Sequence, residues 1–263
     1  MKKIYLYSNE DNDSLETKNR LKELLEKENF SVVSEYSSDI DLVISIGGDG
    51  TFLSAVNSIN YSNIPVLGVN TGHLGFFAEY SPDELNDVVK VCQTNDYSIQ
   101  LCKTIKTVVT TKNNEIELNP ALNDVFIKHG HSSIAHLDLF IGNEFIENFS
   151  GDGILISTSA GSTAYNYSLG GSIVDQRLDL LQINPVAPTN NSIYRSFTSS
   201  LLAPANEKIV IETKNDDLII VIDGIENKTE DIKKITISIQ DKVINIIRRK
   251  DYSFWKKVKE KFL

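Results

Sequence analysis

Ten residues near the start of the chain, VISIGGDGTF from Val43 to Phe52, restrict the possible fold more than any other stretch. The run DLVISI (Asp41 to Ile46) is almost continuously apolar, the pattern of a short strand buried on both faces. Such strands belong to parallel sheets covered by helices. The run stops at Gly47-Gly48-Asp49-Gly50-Thr51, and TFLSAVNSI continues as a helix. An ionisable side chain therefore stands at the carboxyl end of a buried strand, the edge at which open α/β sheets bind ligands.

The flanking sequence fits the same architecture. KIYLYS (Lys3 to Ser8), SVVSEY and PVLGVN read as strands, and SLETKNRLKELLEKENF carries Leu21, Leu24 and Leu25 at helical spacing. Ser81-Pro82-Asp83-Glu84 offers an N-cap, a proline at the first helical position and early acids before LNDVVKVC. The alternation predicts an α/β N-terminal domain over 1–100, with a doubly wound, mostly parallel sheet. From about Tyr97 the texture changes to β-branched strands: TIKTVVTTK, LNDVFIKH, SIAHLDLFI, GILIST, KIVIET, DLIIVID, KITISI and KVINII. These predict a β-rich C-terminal domain over 101–249, interrupted by one short polar helix after Ala160. Phe254, Val258 and Phe262 recur every four residues beside Trp255, so 250–263 reads as an amphipathic helix that rejoins the first domain.

A formal charge of -10 argues against partners bound through a basic field, nucleic acid and anionic membrane above all. It leaves small phosphorylated ligands open, since backbone N–H groups, a few cations and a metal can hold them. No apolar run reaches the roughly 18 residues of a membrane span, and MKKIYLYSNEDND turns acidic where a signal peptide continues apolar, so the expectation is a cytoplasmic protein. Cys92 and Cys102 are the only cysteines, and no pair lies at zinc-ligand spacing. His129, His131 and His136 have no further Cys or His at such spacing and are read as strand or loop histidines; His73, among glycines, is read as loop-shaping.

Asp-Gly pairs end three strand-like runs: Asp49-Gly50, Asp152-Gly153 and Asp223-Gly224. Asp-Gly is good turn chemistry in its own right. The first pair asks for more, because Gly47, Gly48 and Thr51 flank it. Glycines let a phosphate approach the backbone, and a carboxylate beside a polyphosphate can bind Mg²⁺ or accept a hydroxyl proton. The stretch is neither GxxxxGK[ST] nor GxGxxG. It resembles the GGDG of several kinase families, those acting on NAD, 6-phosphofructose, diacylglycerol and sphingosine, which defines phosphoryl transfer and leaves the acceptor open.

The segment GDGILISTSAGSTAYNYSLGGSIV, Gly151 to Val174, resembles the long signature of NAD kinases. NTGHLGFF (Asn70 to Phe77), LNDVFI (Leu122 to Ile127) and VIDG (Val221 to Gly224) are similar to that family's other landmarks in the same order, so the resemblance covers nearly the whole chain. It implies transfer of the γ-phosphoryl group of ATP to the 2′-hydroxyl of NAD, with Mg²⁺, by a homodimer or homotetramer. Asp49 would be the general base, with Gly47, Gly48 and Thr51 in the phosphate-donor loop. NAD would be held by Gly50, Phe76, Phe77, Asn123, Asp124, Asp152, Thr163, Ala164, Tyr165, Ser168 and Ala187, and more weakly by Asp223. The family usually has glutamate at Asp124, arginine at Ser150, and threonine or serine at Ala160; Lys128 and Arg195 are candidate replacement cations. Two other readings compete: a lipid or sugar kinase that shares GGDG, and a module that binds NAD or NADP without turnover.

Overall fold

The computed structural model describes residues 2–72, 75–131, 133–192, 195–213 and 217–263. His73 and its expected loop role lie outside the described residues. The chain divides into two units, one of residues 1–102 and 242–263, the other of 103–241.

In the first unit, strands β1 (Lys3–Ser8), β2 (Ser31–Val33), β3 (Leu42–Ile46), β4 (Val66–Val69) and β5 (Ala78–Tyr80) alternate with helices α1 (Asn12–Lys27), α2 (Asp49–Ser58) and α3 (Leu85–Thr94). The strands pair in the order 2-1-3-4-5, every pair parallel. All five residues of β3 are buried, as expected of a central strand. Leu21 and Leu25 of α1 and Val88 and Cys92 of α3 join Ile4, Ile44 and Leu67 of the sheet in one core. Before α3, Ser81 and Glu84 form a reciprocal capping box on a 3₁₀ turn, Pro82–Glu84.

The second unit is a pair of antiparallel sheets. β6 (Ser98–Thr111), in which the chain leaves the first unit, is followed by β7 (Glu115–Glu117), β8 (Asp124–His129), β9 (Ala135–Ile141), β10 (Glu144–Gly151) and β11 (Gly153–Thr158). A 3₁₀ turn (Ala160–Thr163) and the single-turn α4 (Tyr165–Ser168) come next. Then follow β12 (Leu180–Val186), β13 (Leu201–Pro204), β14 (Ile209–Thr213), β15 (Leu218–Ile222), β16 (Ile225–Lys228) and β17 (Ile232–Arg248). One sheet runs 13-12-11-8-15-16. In the other, β9 lies between β10 and β14, and β14 pairs with the first half of β17. Alternate residues of both sheets, among them Val125, Ile127, Ile154, Ile156, Leu137, Leu139, Ile209 and Ile211, share one apolar core.

Three features differ from the sequence expectation. KITISI and KVINII are one strand, β17, because the polar Gln240-Asp241 between them continues the strand instead of turning. The chain thus returns to the first unit at Lys242, ahead of the boundary read at 250. Strands β10 and β12, both interrupted by polar residues or a proline, escape a periodicity reading. The last helix, α5 (Phe254–Phe262), buries Phe254 and Lys257 and leaves Trp255 half exposed, so its docked face includes a lysine.

Candidate active site

The site residues form two clusters, one in each unit. In the first, β3 ends at Ile46 and the chain turns sharply. Gly47 has φ +148°, a conformation that L side chains rarely adopt, and a Cβ there would meet Thr51 Oγ1 at 2.3 Å. Helix α2 begins at Asp49 itself, with Gly48 as its N-cap. An acidic residue in a first turn suits the positive end of the helix dipole. The carboxylate has a second set of partners: Oδ2 accepts the Phe76 N–H at 2.9 Å and Oδ1 the Phe77 N–H at 3.0 Å. Each oxygen keeps a further lone pair. Gly75 supplies the room, since a Cβ there would stand 2.4 Å from Asp49 Oδ1. By contrast, a Cβ on Gly48 or Gly50 would meet none of the described residues within 4 Å, which leaves both backbones open to a ligand.

Phe76 and Phe77 contribute in a way the sequence does not suggest. Their rings, expected to line a nucleotide site, are 4% and 2% exposed. Phe77 stacks on Phe52 of α2 at 4.8 Å, while Phe76 packs against Phe254 and Phe262 of α5. Burial of these apolar rings outweighs their exposure, and the two residues present backbone N–H groups to Asp49.

The second cluster is built on Asp223. The Asp223-Gly224 pair makes the two-residue turn between β15 and β16, with φ of 47° and 85°. The Asp223 carboxylate turns inward and accepts N–H groups of Leu122 (2.7 Å), Asn123 (2.8 Å) and Asp124 (3.1 Å). From the other side, Thr158 at the end of β11 donates to the Leu122 carbonyl at 2.6 Å and accepts the Gly161 N–H at 3.0 Å. Gly161 lies so close to Asn123 that a Cβ would be 2.1 Å from its carbonyl oxygen. Asn123 is thereby fixed from both sides, and its Oδ1 is buried without a hydrogen-bond partner among the described residues. An orphaned buried acceptor beside a glycine-rich turn is well suited to a ligand amine.

Burial, and then the neighbouring Asp223 carboxylate, push the Asp124 carboxyl up to about 7. Burial raises Asp223 to about 6, against the lowering effect of its three N–H donors. Burial and the neighbouring charge thus both favour the protonated form of Asp124, which can donate as well as accept.

Thr163 and Ala164 are partly exposed at the turn into α4, and Tyr165 and Ser168 are exposed on it. Asn166, between them, is fully buried and donates to the carbonyls of Ser162 and Ser172, so it holds the segment rather than a ligand. Tyr165 sits edge-on to Phe126 and, with Asp152, Lys128, His129 and Val186, lines a groove of about 730 Å³. Ala187, just past β12, has φ +45°, a costly conformation for a residue with a Cβ.

Ser150 is buried, and its hydroxyl bonds to His136 Nδ1 at 2.9 Å. Of the replacement cations suggested by sequence, Lys128 is paired with Glu226 at 2.9 Å, and Arg195 lies exposed on the segment before β13. Ala160 is buried in the 3₁₀ turn. Burial pushes the Cys92 thiol up to about 12 and that of Cys102 to about 11, so both remain protonated at neutral pH. Among the described residues no helix is long and apolar enough to cross a membrane.

A β/α unit with a carboxylate at a glycine-rich strand end, continued into a β-rich unit with a fixed asparagine and a polar turn, defines a two-domain kinase. Residues 2–97 match the family model described as ATP-NAD kinase N-terminal domain, and residues 122–247 match the ATP-NAD kinase C-terminal domain. The chain belongs to the NAD kinase family. It is 34% identical to an NAD kinase of Finegoldia magna over 267 residues, covering 99% of this chain and 97% of that one. It is 34% identical to NAD kinase 1 of Listeria monocytogenes over 238 residues, covering 87% and 90%. In fold it is similar to a yeast NADH kinase complexed with NADH, at TM-score 0.84 and 22% identity over 99% of this chain and 87% of that chain. It is also similar to an Archaeoglobus fulgidus NAD kinase in complex with ATP, at TM-score 0.79 and 20% identity over 99% of both chains.

Proposed function

We propose that this enzyme transfers the γ-phosphoryl group of ATP to the 2′-hydroxyl of the adenosine ribose of NAD, forming NADP, and that Asp49 accepts the hydroxyl proton. The observation that carries the reading is the setting of Asp49. Its carboxylate is aimed by two backbone N–H groups, keeps an unused lone pair on each oxygen, and lies between glycines whose backbones are open. Gly47, Gly48 and Thr51 receive the triphosphate at the start of α2, where N–H groups and the helix dipole favour anions, and Gly50 lies beside NAD. Asn123 Oδ1 takes the adenine amine, Asp124 a ribose hydroxyl, and Thr163, Ala164, Tyr165, Ser168, Asp152 and Ala187 the remainder of the dinucleotide.

The residues fit Mg²⁺ carried in on the triphosphate. Among those described no group of three or more His, Cys, Asp or Glu could hold a metal ion, and Mg²⁺ ordinarily needs only one or two carboxylates beside substrate phosphates. Bound to the triphosphate, it would neutralise charge on the phosphoryl oxygens and leave the Asp49 lone pairs for the proton. The chain's own work is positioning, exclusion of water and removal of one proton.

The test is NADP formation from ATP, Mg²⁺ and NAD, followed through a coupled dehydrogenase. Asp49→Asn should bind NAD and lose on the order of 10²- to 10⁴-fold in kcat, the range of general-base catalysis. NADP made at the parental rate would show that Asp49 is not the base. NADH offered in parallel reports acceptor preference. Light scattering checks the homodimer or homotetramer.

A further inference from the structure

We propose that Arg248 and Lys257 form a positioning device that aims Asp49 through the backbone of Phe76, Phe77 and Ala78; the inference rests on Asp49 being the base. The cluster has an unusual composition for the interior. Arg248 is 1% and Lys257 7% exposed, yet they share a single carboxylate, Glu79, at 2.8 and 2.9 Å. Two buried cations against one anion leave a surplus positive charge, a costly arrangement without further compensation. The surplus shows in the donors as well: Arg248 NH2 is buried with no hydrogen-bond acceptor among the described residues.

The compensation comes through the chain. Arg248 donates to the carbonyls of Phe76 (2.9 Å) and Phe77 (3.4 Å), and Lys257 donates to that of Ala78. The Phe77 N–H, on the far side of the same peptide group whose carbonyl Arg248 holds, donates to Asp49 at 3.0 Å. One peptide thus links guanidinium to carboxylate with its dipole aligned, and each hydrogen bond polarises the next. The Asp49 carboxylate is also among the charges that favour protonated Lys257, against its desolvation by burial. Asp49 is therefore the fourth member of the cluster: two anions balance two cations, with backbone between them.

Removing Lys257 has a distinctive consequence. Lys257→Met leaves the buried Arg248–Glu79 pair intact and Asp49 as the one carboxylate without a balancing cation, so the variant should fold, while the Ala78 carbonyl loses its anchor and Asp49 its alignment. In the full-length enzyme the expected result is a fall of roughly 10- to 100-fold in kcat, the scale of a small misplacement of a reacting group. The KM for NAD and for ATP should stay within about twofold, because neither cation touches the proposed substrate contacts. Lys257→Arg, which restores charge and donor, should recover most of the kcat. Lys257→Gln keeps a donor without the charge and replaces the methionine variant if that one does not fold. A folded Lys257→Met or Lys257→Gln enzyme with parental kcat overturns the proposal, as does a loss that appears in KM or that arginine fails to rescue. Asp49→Asn, measured alongside, separates the two claims: if it is inactive while the Lys257 variants turn over normally, the base stands and its positioning device does not.

Discussion

Asp223 is where the second cluster is most exposed to a decisive test. Replacing it with alanine removes the acceptor of three backbone donors, Leu122, Asn123 and Asp124. A buried donor left unsatisfied costs about 1–3 kcal/mol, so three together cost about 3–9 kcal/mol. Alanine must also hold the left-handed φ of 47°, at about 1–2 kcal/mol. Against this stands the relief of burying the carboxylate, whose rise from 3.8 to about 6 corresponds to about 3 kcal/mol at neutral pH. The net expectation is a destabilisation of about 1–8 kcal/mol. Asp223→Asn should fall between. It tolerates the left-handed conformation, its single carbonyl oxygen can keep the Asn123 and Asp124 donors that share Oδ1, and its amide nitrogen confronts only the Leu122 N–H. Urea unfolding at pH 7 reads the order parent, Asn, Ala, and NAD binding should weaken in folded Asp223→Ala, where Asn123 is no longer held. An alanine variant as stable as the parent, or asparagine the worse of the two, would refute the view that this turn exists to grip the 122–124 backbone.

Three further outcomes follow from the same geometry. In the folded state Asp124 and Asp223 keep protons that the unfolded chain has lost by pH 4, so stability should fall as pH rises from about 4 to about 7, by up to about 1.4 kcal/mol per pH unit for each proton held. Asp124→Asn should flatten that slope in melts taken at successive pH values. Gly161→Ala sets a Cβ 2.1 Å from the Asn123 carbonyl oxygen with backbone on both sides, and should cost about 3 kcal/mol or more in denaturant titrations. Gly50→Ala meets none of the described residues within 4 Å and lies in a helix, so it should gain about 0.5–1 kcal/mol in stability, yet raise the KM for NAD by crowding the acceptor; unchanged NAD kinetics would remove Gly50 from the NAD site.

The elements that could be read from sequence are those with a single dominant pattern. The buried run of β3, the amphipathic α1 and the Ser81–Glu84 box each announce themselves within a few residues, because one face or one cap decides them. β17 did not, since a strand that passes from one unit to the other carries polar residues where a turn would put them. The Arg248–Glu79–Lys257 cluster was beyond local reading altogether. Its hydrogen bonds span 169 to 178 positions, and isolated lysines and arginines in a sequence are indistinguishable from solvated ones. Phe76 and Phe77 show the converse limit. Their place beside the site was legible, but whether ring or backbone faces Asp49 depends on α5, whose docking partner no periodicity names.

The three Asp-Gly pairs, alike in sequence, end in three different physical settings, and the differences assign their work. Asp223-Gly224 is the turn that composition alone would predict, with both residues at positive φ, and its carboxylate is consumed by backbone donors. Asp152-Gly153 opens a strand instead. Gly153 is demanded by contact, since a Cβ would lie 2.2 Å from the Ile127 carbonyl oxygen, and Asp152 is left exposed beside Tyr165 at the groove. Asp49-Gly50 starts a helix. Only there does a carboxylate combine a fixed orientation, spare lone pairs and an open glycine on either side. A proton acceptor needs all three at once: orientation to be within reach of a hydroxyl, a lone pair to receive the proton, and space for the phosphoryl group that replaces it. An aspartate whose lone pairs are spent on its own turn cannot take that role, and one exposed on a groove wall is suited to holding a ligand, which is why the chemistry is assigned to the end of β3 and recognition to the second unit.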